Sequence, residues 1–160
     1  MAWNDFLTEF KEPQRLTDEE LELLIRDVSA RIPYGVKAQF EVDWENDDPD
    51  KPICHDFIVT AVDRRHNNLF WAGGVQLQEA GMPNGTMEVA PRNETFKPYL
   101  RSFAKMSHQE YKVYWHMLDI NESAWTVMDW LNSHHLDYNR LIEKGLALEA
   151  PEGMYNIEGV

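Results

Sequence analysis

The sequence predicts a single α+β domain: an N-terminal helix, then an antiparallel meander of about four strands, then a cluster of C-terminal helices packed on one face of the sheet. Two observations support this class. Apolar residues recur with the helical period near both ends of the chain and with a period of two in the middle. Short groups of turn-forming residues separate the middle segments, which favours antiparallel pairing between consecutive strands.

The length of the chain is that of one globular domain. A chain of 160 residues can bury a core unaided. We expect one domain over residues 1–160, with residues 1–15 as an N-terminal extension and residues 151–160 as a C-terminal tail. The first residues lack the features of a signal peptide, and no segment approaches the ~18 apolar residues of a membrane helix. We therefore expect a cytoplasmic protein without membrane contact.

The first helix is predicted over residues 18 to about 31. Thr17 as N-cap and Glu20 three residues later form a capping box, which satisfies backbone N–H groups at the helix start. Pro33 prevents continuation of the helix. Between these two signals, apolar residues recur on one helix face, which predicts a buried stripe. The stripe consists of Leu21, Leu24, Ile25 and Val28.

Four segments in the middle of the chain have the pattern of strands. Residues 36–44 alternate apolar and polar side chains, so one face of this strand is expected to be buried. Residues 56–63 are apolar on both faces, which places this strand inside the sheet. Further strands are expected over residues 69–78, with a bulge or break at Gly73-Gly74, and over residues 87–89.

After these strands, the chain is predicted to be helical throughout. Ser107 as N-cap and Glu110 form a second capping box. The apolar positions that follow predict a buried stripe of Tyr111, Tyr114, Trp115 and Leu118.

Two more helices are expected near the C-terminal end. One begins near Asn121 or Ser123 and is predicted to bury Ala124, Val127, Met128 and Leu131. The other covers residues 138–144 and ends at Gly145 in a Schellman arrangement.

Three blocks of sequence resemble an uncharacterised family of small hypothetical proteins from gut bacteria and their phages or mobile elements. The most specific block is residues 129–151, DWLNSHHLDYNRLIEKGLALEAP, and the others are residues 31–36 and residues 97–101 with 106–110. The resemblance implies a phage or mobile-element accessory protein in the cytoplasm of a host cell. It supplies no catalytic residues.

The chain is strongly acidic, with a formal net charge of −13. Because phosphate contacts supply most non-specific affinity for nucleic acids, we expect no direct binding of DNA or RNA. The same charge attracts a protein partner with a basic surface, although solubility alone also explains it. Combined with the family context, this predicts an acidic protein-interaction module that docks on a basic host protein, as an inhibitor of nucleic-acid-processing or defence machinery.

The partner-binding residues are predicted to lie in an acidic loop. A calcium site is disfavoured there, because an EF-hand alignment starting at Asp43 puts Asp48 at the required glycine and Cys54 at the required glutamate. A solvated acidic loop is the default interpretation, and if the protein docks on a basic partner, the carboxylates of this loop are predicted to carry the attraction. These carboxylates belong to Glu45, Asp47, Asp48 and Asp50.

A second function class rests on histidines and carboxylates near the C-terminal end. His116, Asp119, His134 and Asp137 predict a small-molecule-binding or nucleotide-binding protein, or a hydrolase, if they converge in one cleft. His134 and His135 would not share a metal, because neighbours on a helix point about 100° apart. A role for Asp137 as the next helix cap is the structural alternative.

Two other groups of residues are weaker candidates for a functional site. Cys54-His55-Asp56 lacks the opposed base that a thiol nucleophile needs, and as the single cysteine Cys54 cannot form an internal disulfide. Trp115, Trp125 and Trp130 would form an aromatic binding patch if exposed, but their helical placement favours the core. We assign no catalytic residue and no metal ligand, and expect neither a cofactor nor a structural metal.

Overall fold

The computed structural model describes five stretches of the chain, namely residues 16–41, 54–65, 69–77, 83–89 and 95–156. The predicted α+β class is confirmed, with an N-terminal helix, a sheet and C-terminal helices. In chain order, the helices and strands are α1 (Asp18–Arg31), β1 (Lys37–Glu41), β2 (Cys54–Arg65), β3 (Leu69–Leu77), β4 (Pro83–Val89), β5 (Lys97–Leu100), α2 (His108–Asp119), α3 (Ala124–Ser133) and β6 (Leu148–Glu149). Short 3-10 turns lie at Ile32–Tyr34 and Phe103–Lys105.

The sheet has the strand order β4-β3-β2-β1-β5-β6. The first four strands form the predicted antiparallel meander, and β2 lies inside the sheet as its two apolar faces indicate. Two further strands extend the sheet beyond β1: β5 pairs with β1 antiparallel, and β6 pairs with β5 in parallel. The prediction that the chain is helical throughout after the meander was therefore wrong. Strands of four and two residues are too short to show a period.

The bulge expected near Gly73-Gly74 is present, and it lies on the opposite strand. The register of β2 against β3 shifts between Val59 and Ala61, whereas β3 runs without a break. Gly74 is needed at this place, because a Cβ there would lie 2.7 Å from the carbonyl oxygen of Ile58.

The core lies between α1 and the sheet. Both hydrogen bonds of the Thr17 capping box form, at 3.1 Å each, and the predicted helix boundaries are confirmed. Leu24 and Val28 of α1 are fully buried, and α1 packs on β2. Phe40 of β1 stacks on Phe57 of β2, with 3.8 Å between ring centroids.

The apolar stripes predicted for α2 and α3 are largely exposed, so this part of the prediction was wrong. Ser107 and Ser123 cap these helices as expected. However, Tyr111 and Trp115 of α2 are about half exposed, at 51% and 48%. Periodicity shows only that apolar residues share a helix face, and it does not show that the chain covers that face. The other stripe members classed as exposed are Leu118, Ala124 and Met128.

Residues 138–144 form turns and not the predicted helix. The predicted C-terminal stop is nevertheless present. Gly145 has a φ of 75°, its N–H donates to the carbonyl of Ile142, and the N–H of Leu146 donates to the carbonyl of Leu141, which is the Schellman pattern. The segment is not helical because Arg140 has a left-handed φ of 56° and the Asp137 carboxylate accepts the N–H groups of Leu141 and Ile142, at 2.8 and 3.0 Å.

Candidate functional site

The acidic loop predicted to bind a partner lies outside the described residues. This applies to all four of its carboxylates, those of Glu45, Asp47, Asp48 and Asp50.

The predicted His/Asp cluster is not assembled as one site. His116 and Asp119 are exposed on α2, whereas His134 and Asp137 are buried after α3. Asp137 caps the following turn, which is the structural role considered for it. Within the part of the chain that the structure describes, no three His, Cys, Asp or Glu residues are grouped so that they could hold a metal ion.

Instead, Glu110 forms the centre of a buried polar network. Arg101, which follows β5, donates to its two carboxylate oxygens at 2.6 and 2.8 Å. Arg101 also donates to the backbone carbonyl of His134, at 2.9 Å. The N–H of Ser107 donates to the same carboxylate at 2.9 Å, as part of the capping box. The network thus joins the end of β5, the start of α2 and the end of α3.

Charge-assisted hydrogen bonds determine the protonation of Glu110. Burial by itself is the largest influence and would raise the pKa, but donors from Arg101, Ser107 and His134 outweigh it and lower the pKa from 4.5 to about 2. The carboxylate is therefore ionised at neutral pH. Nδ1 of His134 lies 2.8 Å from it and carries a proton, since an ionised carboxylate can only accept.

A histidine oriented by a carboxylate is also the arrangement of a general base. Here the ring of His134 stacks on Trp130, with 4.2 Å between centroids. Its Nε2 exposes less than 1 Å² and has no hydrogen-bond partner among the described residues. A substrate arriving from solvent has no access to this atom, so the pair stabilises the fold and is not placed for catalysis.

A second buried network ties α1 to the segment after α3. The side chains of Asp27 and Arg31 are completely buried, with 2.7 Å between Oδ1 and Nε. Arg31 also donates to the carbonyl of Leu136 at 2.7 Å, and Asn139 donates to Asp27 at 2.8 Å. The Arg31 guanidinium lies 4.8 Å from the centre of the Tyr138 ring. No sequence pattern singled out this pair, because i,i+4 charges on a helix are typical of exposed surfaces.

His135 is buried in an unusual backbone conformation. It has a φ of 54°, and its ring stacks on Tyr155 with 3.7 Å between centroids. Burial above all, and then the charge of Arg31, lowers its pKa from 6.5 to about 3. Tyr155 in turn donates to the carbonyl of Tyr99 at 2.7 Å, so this part of the predicted tail is packed against the sheet.

The Cys54-His55-Asp56 segment lies in β2. Cys54 is opposite Glu41, and Asp56 accepts a hydrogen bond from the Tyr99 hydroxyl at 2.6 Å. Consecutive strand residues point to opposite faces of the sheet, so His55 is directed away from its two neighbours.

An exposed aromatic surface covers one face of α2. We define this aromatic surface as Tyr111, Trp115 and Leu118, which are spaced at i, i+4 and i+7 and are all at least 40% exposed. The rings of Tyr111 and Trp115 meet edge to face at 6.0 Å. The ring of Tyr114 contacts the ring of Trp115 at 6.2 Å and stacks on Trp130 of α3 at 6.0 Å. The expectation that Trp115, Trp125 and Trp130 are core residues was therefore wrong for Trp115 and for Trp125, whereas Trp130 is partly buried.

Trp125 is still more exposed, at 84%, and lines a groove between α1 and α3. We call this the α1–α3 groove; it has a volume of about 580 Å³. Met128, Asp129 and Tyr138 also line it. A wider cleft of about 920 Å³ lies near the C-terminal end and mixes Arg101 and Lys105 with acidic side chains.

Comparison of the chain with protein-family models, with curated proteins and with solved structures gave no match. Among the described residues, none of the helices has the length and hydrophobicity needed to span a bilayer.

Proposed function

We propose that this protein is an interaction module, a phage or mobile-element accessory protein that docks on a basic host protein and inhibits nucleic-acid-processing or defence machinery. The observation that carries the docking part is the aromatic surface of α2. Large apolar side chains that share an exposed face mark interaction sites, and tryptophan and tyrosine supply a large share of binding energy at interfaces. The aromatic surface is also linked to α3, because Tyr114 contacts Trp115 and stacks on Trp130.

The net charge of the chain indicates that the partner has a basic surface. A net charge of −13 raises the encounter rate with a basic surface and opposes encounter with an acidic one. The phage or mobile-element context comes from the family resemblance of residues 129–151. In this proposal, apolar burial at the aromatic surface sets the lifetime of the complex, and the carboxylates set the rate of association.

The alternative, a ligand-binding protein or hydrolase built on His116, Asp119, His134 and Asp137, has less support. Two of these side chains are exposed on α2, and the other two are buried with structural partners. An enzyme of this kind would need these four side chains to converge in one cleft.

Affinity capture from the natural host tests the proposal, with wild-type protein and surface variants compared side by side. The double variant Tyr111→Ser/Trp115→Ser should lose the specifically captured protein. The matched control Lys112→Ala removes an exposed side chain from the same helix and should retain it. Circular dichroism checks that each variant folds. A partner captured equally by the double variant would contradict the role of the aromatic surface.

The acidic loop is tested through the association rate of the captured partner. Changing Glu45, Asp47, Asp48 and Asp50 together to Asn or Gln should slow association about tenfold or more. Association of the wild type should also slow as added salt shortens the Debye length from ~10 Å to ~3 Å. A rate that is indifferent to both changes would remove the loop from the proposal.

A further inference from the structure

The α1–α3 groove has a different chemistry from the aromatic surface. Its apolar wall contains the exposed Trp125 with Met128 and Tyr138, and α1 forms the opposite side. Because the residue Trp125 is 84% exposed, its indole is accessible to a ligand. The indole face carries negative electrostatic potential and attracts cations more strongly than any other aromatic side chain.

The charged groups of the groove leave one carboxylate uncompensated. Asp27 is engaged by Arg31 and Asn139, and Arg26 is paired with Glu22 at 3.0 Å. The side chain of Asp129, by contrast, forms no hydrogen bond or ion pair within the part of the chain that the structure describes. The groove therefore combines an exposed aromatic face with an exposed, unpaired negative charge.

This combination suits a guanidinium better than an ammonium. A guanidinium stacks on aromatic faces and donates to carboxylates in a planar fork, and it is more weakly hydrated. The protein already uses this chemistry on its inner side, where Arg31 is paired with Asp27 and lies 4.8 Å from the centre of the Tyr138 ring. The net charge of −13 adds a long-range attraction for a basic partner.

We propose that the α1–α3 groove binds an arginine side chain of the partner protein, with the guanidinium stacked on Trp125 and paired with Asp129. The inference rests on the proposed function, for which it names the contact chemistry of the partner. It assigns Trp125 and Asp129 a role separate from that of the aromatic surface.

The first test uses a peptide probe and protein labelled with ¹⁵N in its six tryptophan side chains. The Trp125 indole signal is assigned with the Trp125→Phe variant. A peptide Ac-Gly-Arg-Gly-Arg-Gly-NH₂ should shift this signal in a saturable manner. The same peptide with citrulline, which is nearly isosteric and neutral, should not. An unmoved Trp125 signal, or an equal response to citrulline, would overturn the proposal. A third peptide, with lysine in place of both arginines, should bind more weakly, and equal affinity for it would overturn the arginine specificity of the groove.

The second test separates the two contacts, with fluorescence anisotropy of the labelled arginine peptide. Asp129→Asn should weaken binding by about threefold or more, as removal of an exposed charge contact predicts. Trp125→Leu should weaken it at least as much. The matched control Asp119→Asn removes an exposed carboxylate from α2 and should change binding less than Asp129→Asn does. If the two Asn variants weaken binding equally, the effect of Asp129 is one of general charge, and the proposed pairing of the guanidinium with Asp129 is overturned.

The outcomes also separate this inference from the proposed function. A host partner that depends on Tyr111 and Trp115 but not on Trp125 would refute the arginine site and leave the interaction module standing. If the arginine peptide binds at Trp125 but no partner depends on the aromatic surface, the arginine site would stand and the role of the aromatic surface would be refuted.

Discussion

Arg101 donates two hydrogen bonds to the carboxylate of Glu110, at 2.6 and 2.8 Å, and so joins the end of β5 to the first turn of α2. Such a bidentate pair is among the stronger polar contacts in proteins. The same carboxylate accepts a hydrogen bond from Nδ1 of His134, at the end of α3. Glu110 thus links α2 and the end of α3 to the end of β5, and its ionisation should be visible in the stability of the fold.

The stability contributed by Glu110 should depend on pH in a defined window. Its pKa in the folded protein is about 2, below the ordinary 4.5. A lowered pKa means that the stabilisation is fully present above pH 4.5 and is lost as the pH falls toward 2. Glu110→Gln should be less stable at neutral pH and should lose less stability on acidification. Urea denaturation at several pH values measures this, and Glu22→Gln, on the exposed surface of α1, should retain the wild-type profile.

His135 should produce a second pH dependence at higher pH. Its folded pKa of about 3 lies below the ordinary 6.5, so protonation favours the unfolded chain, and stability should fall as the pH drops from 6.5 toward 3. His135→Asn removes this contribution. Asn is chosen because it tolerates the left-handed φ of 54°. A His135→Asn profile as steep as wild type between pH 6.5 and pH 4.5, above the window of Glu110, would contradict the assignment. His116→Asn, at an exposed site, is the control.

Breaking the buried Asp27–Arg31 pair should be costly. Asp27→Asn leaves the Arg31 guanidinium buried without its counter-charge, for which we expect a loss of about 3–5 kcal/mol in the free energy of unfolding. The exposed pair of Glu22 and Arg26 has the same i,i+4 spacing, so Glu22→Gln should cost less than about 0.5 kcal/mol. Chemical denaturation of the two variants under one condition makes the comparison. Equal losses would show that burial of the pair adds nothing.

The capping boxes should contribute measurably to stability. Thr17→Ala and Ser107→Ala each remove a side-chain acceptor from a helix start, and each should cost about 0.5–2 kcal/mol. Ser102 offers a matched control, because it precedes the 3-10 turn Phe103–Lys105 without any side-chain cap hydrogen bond. Ser102→Ala should leave the denaturation midpoint nearly unchanged. Unchanged midpoints in Thr17→Ala and Ser107→Ala would refute the energetic role of these caps.

The sequence alone predicts those features whose determinants lie within a few residues of one another. Thr17 and Glu20 are three positions apart, and their two hydrogen bonds are as expected. The meander follows from alternation and turn residues, and the Schellman stop at Gly145 from the left-handed preference of glycine. The exposure of Trp115 could not be predicted in this way, because helical periodicity leaves open whether another element covers the face.

Tertiary structure decided the rest. Strand β5 exists because β1 offers it a pairing edge, and β6 because β5 does the same in turn. Arg31 donates to the carbonyl of Leu136 across 105 positions of the chain, and Glu110 approaches His134 across 24. A local sequence pattern cannot predict such pairs, because their partners are distant in the chain. They form only because the packing of the whole fold offsets the chain entropy that is lost when distant segments come together. The sequence by itself determined where α1 and α2 begin, which strands alternate and how acidic the protein is. Only the fold decided which charges are buried in pairs, and which aromatic rings remain exposed to meet a partner.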